Sequence, residues 1–293
     1  MKLPDMASEK AVRGLIRSAL REDVGRGDVT SEALVPPNAT ARTVILSRDR
    51  CVICGLGVAA AVFRAVDPRL TCRLLARDGD RIRKGAAVLR VSGRARSILA
   101  AERTALNFLQ RMTGIATLTR RFVDAVRPLG TRILDTRKTT PGFRRIEKYA
   151  VRCGGGTNHR MGLYDRVLIK DNHRALWGAR VGRDLAAAVR AARARHPGLP
   201  VEVEVESEAQ LRDVLGAKPD WVLLDNMSPV VMRRCVALGR GRTRFEASGG
   251  VTIRNVKKIA VSGVDAISIG ALTHSAPAAD LSLEVDVAKG RKA

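Results

Sequence analysis

Three clusters decide the fold: Asp135-Thr136-Arg137-Lys138-Thr139-Thr140-Pro141-Gly142, then Gly154-Gly155-Gly156-Thr157-Asn158-His159-Arg160, then Leu168-Ile169-Lys170-Asp171-Asn172-His173. Ile133 and Leu134 lead into the first cluster, and Val167, Leu168 and Ile169 into the last. Each short apolar run reads as a buried strand that stops at a charged group. Arg144 to Val151 reads as a helix, closed by three glycines. Arg137, Lys138 and Lys170 are therefore expected at the carboxyl ends of strands, with His159 and Arg160 in a loop nearby. The plain alternative is a solvated basic face, since the chain holds 53 Lys+Arg. Cations placed directly after buried strands point instead into a crevice, and four of them with a histidine suit a polyanion.

Outward from this stretch, strand, polar end and helix repeat from residue 131 onward. Strands are expected at Arg132–Leu134, Val167–Ile169, Val201–Val205, Trp221–Leu224, Arg244–Ala247 and Ala266–Ile269, with helices near 144–151, 184–195, 207–215, 229–237 and 253–261. Six such units predict a parallel α/β barrel smaller than the eight-stranded form. Upstream, Ala11, Val12, Leu15, Ile16, Ala19 and Leu20 recur at helical spacing over residues 9–22, and a glycine-punctuated loop follows to Thr30. Thr40–Ser47, Leu70–Ala76 and Val88–Val91 read as strands. Gly55-Leu56-Gly57 reads as a strand-to-helix turn. It mimics a dinucleotide fingerprint, but no acidic residue follows about 20 positions on at a second strand. Ile98 to Val126 is a long helical stretch with a possible interruption near Gly114.

The expected fold class is α/β: an N-terminal α/β sandwich-like domain with an incomplete, about six-stranded parallel α/β barrel. The domains are drawn at 1–114, 115–275 and 276–293, the last returning to the N-terminal domain and ending in a disordered tail.

The formal net charge of +24 raises nucleic-acid binding as a function. Aromatics are only 3%, too few for stacking platforms, and the arginines are scattered through every segment. The expectation is therefore no nucleic-acid partner and a field that draws small anions. No apolar run is long enough to span a membrane, and Met1–Asp5 lacks the apolar core of a signal. The cysteines, Cys51, Cys54, Cys72, Cys153 and Cys235, are odd in number and irregular in spacing, which suits reduced thiols in a cytoplasm. Cys51 and Cys54 have C-x-x-C spacing but no second ligand pair for zinc, and read as incidental thiols.

In a barrel the chemistry sits at the carboxyl ends of the strands. Those ends carry Arg137 and Lys138; Lys170; Glu204; Asp225 and Asn226; Ser248, Gly249 and Gly250; Gly270 and Ala271. Glu202, Glu204 and Glu206 alternate on one strand face, where they need cations or metal; structural ion pairs are the alternative. Ser248-Gly249-Gly250 before a helix, and Ile269-Gly270-Ala271 before the last segment, can bring backbone N–H groups to a phosphate. His159 and His274 are candidates for phosphate or carboxylate contacts, while His173 and His196 read as structural.

The run from Asp135 to His173, together with Glu22–Thr30 and Ala101–Gln110, resembles the quinolinate phosphoribosyltransferase family over nearly the whole chain. The resemblance implies phosphoribosyl transfer from PRPP to quinolinate with loss of CO2, in de novo NAD biosynthesis. It implies that Arg103, Thr136, Arg137, His159, Arg160 and Lys170 bind quinolinate. PRPP would meet Lys138, Lys170, Glu204, Asp225, Ser248, Gly249, Gly250, Ile269, Gly270, Ala271 and His274. Lys138, Glu204 and Asp225 would be catalytic, with Mg2+ on Glu204 and Asp225 through water. A homodimer with shared active sites is implied as well, Arg103 reaching the neighbouring subunit's site. The rival readings are a related phosphoribosyltransferase with another acceptor, a nucleic-acid-binding protein, and an inactive scaffold.

Overall fold

The computed structural model describes residues 5–181 and 184–285, so the tail expected to be disordered lies outside the described residues. In chain order the elements are α1 (Lys10–Val24), α2 (Val29–Leu34), β1 (Thr40–Ser47), β2 (Cys51–Val52), α3 (Leu56–Val66), β3 (Thr71–Leu74), β4 (Arg81–Ile82), β5 (Ala87–Arg94) and α4 (Ala95–Val126). Then come β6 (Arg132–Leu134), α5 (Arg144–Cys153), β7 (Val167–Ile169), α6 (Asp171–Val181), α7 (Leu185–Arg195), β8 (Val201–Val205) and α8 (Glu208–Leu215). The chain closes with β9 (Trp221–Asp225), α9 (Pro229–Gly239), β10 (Arg244–Ser248), α10 (Val256–Ala260), β11 (Ala266–Ser268), α11 (Ala271–His274) and β12 (Leu281–Val285). No helix among the described residues is long and apolar enough to cross a membrane.

The elements form two compact units, one drawn from Met1–Arg120, Thr140–Gly155 and Thr273–Ala293, the other from Arg121–Thr139 and Gly156–Leu272. In the first, an antiparallel sheet runs β12-β1-β5-β3. Ile45, Leu89 and Val91 bury its apolar face, as strand alternation requires, and Val88 is buried at the bulge where the register shifts. Gly55 adopts φ +100° immediately before α3, the strand-to-helix turn expected of it. The returning segment is tied to α4: Ala279 donates its N–H to the Gln110 carbonyl at 3.0 Å, and Gln110 Nε2 donates to the Leu281 carbonyl at 2.8 Å. That segment explains Gly114. The helix is unbroken there, and a Cβ at Gly114 would overlap the Pro277 carbonyl oxygen. The glycine marks a close approach.

Helix α5 groups with this first unit rather than serving as a plain barrel connector, because Ile146, Tyr149, Ala150, Val151 and Cys153 are buried in it. Tyr149 Oη donates to Asp78 Oδ2 at 2.8 Å. Cys54, half of the C-x-x-C spacing, lies beside Cys153 and Asp78, while Cys51 Sγ meets Ser47 Oγ at 3.3 Å. All five cysteines are free.

The hub of α5 is Glu147, which is fully buried. Its Oε1 accepts from Arg111 Nε at 3.1 Å and Nη2 at 2.7 Å and from Thr140 Oγ1 at 2.9 Å, while Oε2 accepts the Thr140 N–H at 3.1 Å. Arg111 also donates to the carbonyls of Thr273 and Ala276. One ion pair thus joins α4, α5, the chain entering α5 and the chain leading to β12.

The second unit is a parallel sheet in the order β6-β11-β10-β9-β8-β7. β6 and β7 end the order and are not paired with each other, so the barrel is incomplete as expected. Its strand starts converge on Trp221, which is buried and carries Arg132, Arg166 and Arg244 at 5.2, 5.6 and 4.8 Å from its ring centroid. Cations over an aromatic face stabilise this end of the barrel.

Removing one partner of a buried ion pair leaves the other uncompensated. Glu147→Ala is expected to destabilise the chain by about 3 kcal/mol, read from urea unfolding by linear extrapolation. A loss below about 1 kcal/mol would make Arg111–Glu147 equivalent to a surface pair.

Candidate active site

Alternation along the barrel strands sends one set of side chains inward. On β8 these are Glu202 and Glu204; on β9 Trp221, Leu223 and Asp225; on β10 Arg244, Glu246 and Ser248. Parallel register pairs Ser248 with Asp225 and Glu204 with Leu223, so Glu204, Asp225 and Ser248 occupy neighbouring carboxyl ends. Glu206 lies past the end of β8 and is exposed, where it meets Arg174 Nη2 at 3.1 Å.

Each rim group is held by its own strand end. Lys170 follows β7, its Nζ 3.6 Å from Glu204 Oε2. Burial pushes the Glu204 carboxyl above its usual range; Lys170 pulls it back, and the Asp225 charge pushes it up again. Asn226 turns the chain in a left-handed conformation, φ 51°, which asparagine tolerates better than most residues. Its N–H donates to the Ser248 carbonyl at 3.0 Å and its Nδ2 to Asp225 Oδ2 at 2.8 Å. Gly249 adopts φ +93°, and a Cβ there would overlap the Asn226 side chain. The glycine loop and the carboxylate are thus fitted to each other.

After β6 the chain turns tightly: Lys138 donates its N–H to Thr136 Oγ1 at 3.0 Å, and Thr139 its N–H to the Arg137 carbonyl at 3.0 Å. Thr136 and Arg137 are half-buried and Lys138 is exposed. Arg160 Nη1 donates to the Arg166 carbonyl at 3.3 Å. Burial makes the Arg160 guanidinium less readily charged than usual, and the neighbouring Arg137 charge adds to this. Two guanidinium groups close together in a half-buried mouth favour an anion between them.

Below the rim lies a layer that sequence reading only half found. His159, buried, places Nε2 at 3.2 Å from Glu202 Oε2 and 3.5 Å from Glu246 Oε2. Its Nδ1 accepts the Arg160 N–H at 2.7 Å, and its own N–H donates to Asp135 Oδ1 at 2.8 Å. Arg166 Nη1 donates to Glu202 Oε2 at 3.1 Å. Burial pushes Glu202 up, but His159 and Arg166 outweigh it and hold the carboxyl below its usual range. Burial drives Glu246 well above its usual range, and the Glu202 charge adds to the shift. Asp135, Arg166 and Glu246 were not among the expected site residues. The signal for Glu246 was present in the Arg244-Phe245-Glu246-Ala247-Ser248 alternation, which places it on the face of Ser248.

The second unit contains Thr136, Arg137, Lys138, His159, Arg160, Lys170, Glu204, Asp225, Ser248, Gly249, Gly250, Ile269, Gly270 and Ala271, with Glu204, Asp225 and Ser248 on neighbouring strand ends and Lys170 beside Glu204. Arg103 and His274 belong to the first unit: Arg103 is exposed on α4, and His274 is exposed with Nδ1 2.5 Å from Ser275 Oγ. One expectation is corrected. The helix expected over 253–261 spans only Val256–Ala260, so Gly249 and Gly250 do not open it. Any phosphate contact there falls to the loop backbone.

Comparison with known proteins identifies the family. The family profile described as the C-terminal domain of quinolinate phosphoribosyl transferase matches residues 115–284, and its N-terminal counterpart matches residues 28–113. The chain is 44% identical over 283 residues to the nicotinate-nucleotide pyrophosphorylase [carboxylating] of Mycobacterium leprae, covering 94% of this chain and 97% of that one. It is 41% identical over 291 residues to a mitochondrial quinolinate phosphoribosyltransferase [decarboxylating] of Nicotiana tabacum, covering 94% and 82%. The solved nicotinate-nucleotide pyrophosphorylase of Francisella tularensis superimposes with a TM-score of 0.89 at 38% identity, covering 97% of this chain and 98% of that one. Both family profiles and these full-length likenesses establish that the chain belongs to the quinolinate phosphoribosyl transferase family.

Proposed function

We propose that this chain transfers the phosphoribosyl group of PRPP to quinolinate with decarboxylation, yielding nicotinate mononucleotide, pyrophosphate and CO2, a step of de novo NAD biosynthesis. The observation that carries the reading is the division of charge around one barrel mouth. Arg137, Arg160 and Lys170 supply cations, while Glu204 and Asp225 supply carboxylates on adjacent strand ends. A dicarboxylate needs the first set. A pyrophosphate-bearing sugar with its metal needs the second.

Arg137 and Arg160 offer planar forks that can each hold a carboxylate with two parallel hydrogen bonds, and Lys170 adds a point charge. The half-buried mouth strengthens these contacts. Ser248-Gly249-Gly250 and Ile269-Gly270-Ala271 present backbone to the sugar phosphate, and Lys138 presents its ammonium to pyrophosphate. Held in line, the ring nitrogen of quinolinate displaces pyrophosphate from the ribose carbon; positioning and charge stabilisation supply the rate. The pyridinium so formed stabilises the electron pair left on C2 when the 2-carboxylate leaves as CO2, and C2 then takes a proton from water to give the product. Incubating the chain with quinolinate, PRPP and Mg2+ should release CO2 and nicotinate mononucleotide in equal amounts; no product with both substrates present would overturn the reading.

Glu204 and Asp225 fit a Mg2+ ion: their mutual repulsion persists even with Lys170 nearby, and their donors are all oxygen. When bound there, the ion would shield the pyrophosphate charge as it leaves. Glu204→Gln and Asp225→Asn are expected to raise the Mg2+ concentration needed for half-maximal rate by at least about tenfold, with a smaller change in quinolinate KM. Wild-type magnesium dependence in both variants would make these carboxylates structural. The free cysteines suit a reducing compartment such as the cytoplasm.

The reading includes a two-fold dimer in which Arg103 of one protomer serves the barrel of its twin. Supporting it are the family to which the chain belongs and the exposure of Arg103 on α4. Mixing Arg103→Ala chains with Lys138→Ala chains, each inactive alone, should restore about a quarter of the activity after random exchange, since a mixed dimer keeps one intact site. No recovery despite proven exchange would put Arg103 outside a shared site.

A further inference from the structure

His159, for which the family resemblance implies a quinolinate contact, is buried against Glu202 and Glu246, two acids with no part in the binding groups above. Two hydrogen bonds determine the imidazole's tautomer. Nδ1 lies 2.7 Å from the Arg160 N–H, a group that can only donate, so Nδ1 must be a lone pair and the ring proton sits on Nε2. Nε2 faces Glu202 and Glu246, which can accept it. Both ring nitrogens are thus engaged inside the barrel, and the His159 main chain is anchored on Asp135.

The two glutamates crowd one another beneath the mouth. The ligand atoms of His159, Glu202 and Glu246 lie within 4.8 Å of one another, and both carboxyl groups are buried. Glu202 Oε1 and both Glu246 oxygens make no well-formed hydrogen bond among the described residues, although the Ser268 hydroxyl and His159 Nε2 lie beside Glu246. Two carboxylates cannot donate to each other. One proton on Glu246 resolves the conflict, because its O–H can then donate to Glu202. Arg166 balances the charge left on Glu202.

We propose that Glu246, paired with Glu202, is a positioning residue for the substrate clamp: the pair holds His159 as its Nε2–H tautomer, and the Nδ1 lone pair then fixes the main chain of Arg160. On this account His159 acts through Arg160, whose guanidinium lies beside that of Arg137 at the mouth. The proposal rests on the quinolinate reading of the mouth.

Two measurements test it. Selective 15N labelling of histidine gives a small spectrum, since the chain has four histidines, and the His159 signal is identified by its loss in His159→Gln. The proposal requires Nε2 protonated and Nδ1 bare in the free enzyme; an imidazolium or an Nδ1–H tautomer overturns it. This readout needs no substrate, so it stands apart from any failure of the quinolinate reading. The second is kinetic. Glu246→Gln keeps a donor towards Glu202 and should hold quinolinate KM within about threefold of wild type. Glu246→Leu removes the donor and should raise quinolinate KM by at least about tenfold, with PRPP KM changed less than about threefold. An unchanged quinolinate KM in the leucine variant, or an equal rise for both substrates, overturns the positioning role. Should the leucine variant not fold, the glutamine variant and the tautomer still decide: loss of quinolinate affinity in Glu246→Gln contradicts the proposal.

Discussion

Every second side chain of an inward-facing strand must be housed inside the barrel, and in this chain many of those side chains are charged. Removing charge from water is tolerable only where an opposite charge or a hydrogen bond replaces it. The interior is accordingly built in layers. At the strand starts Arg132, Arg166 and Arg244 cover the Trp221 ring. In the middle His159, Glu202 and Glu246 close on one another, with Arg166 reaching Glu202 as well as Trp221. At the strand ends Lys170 and Glu204 face each other beside Asp225. The two lower layers have their partners within the protein. At the rim like charges also meet: Glu204 and Asp225 repel on one side, and Arg137 and Arg160 on the other. A charged substrate can relieve those repulsions.

The order of these layers explains why binding and stability can be separated in one barrel. Substitutions at Trp221 or its arginines act on the closed end, far along the strands from the groups that meet substrate. The middle layer couples the two, because Arg160 adjoins His159 in the chain and accepts its geometry from it. In the first unit Arg111 and Glu147 play the corresponding structural part, joining four stretches of chain through one buried pair.

Much of this was legible in the residues. The barrel strands lie within one residue of where apolar runs ending in charge placed them, because a strand buried on both faces leaves no other pattern. The rim residues followed directly from the strand ends. What escaped has identifiable causes. Gly114 looked like a helix break, since its purpose is contact with Pro277, far away in sequence. Helix α6 was not foreseen: Leu176 is exposed, so the stretch lacks an apolar stripe to betray its period. The shortness of α10 is set by the turn at Thr252 and Asn255, where Asn255 Oδ1 accepts the Thr252 N–H at 2.7 Å. Glu246 was passed over as a lone acid on β10, although the Arg244-Phe245-Glu246-Ala247-Ser248 alternation puts it on the face of Ser248. The family resemblance reached His159, but local sequence says nothing about which groups its two nitrogens face.

The central claim is that the cations at the barrel mouth read two carboxylates on one ring. Calorimetric titration of the metal-free protein with quinolinate and then with nicotinate, which keeps the ring and one carboxylate, tests this without any turnover. The account predicts that quinolinate binds at least about a hundredfold more tightly, since losing a carboxylate strands charged partners in a half-buried site. Equal affinity for the two ligands would contradict it.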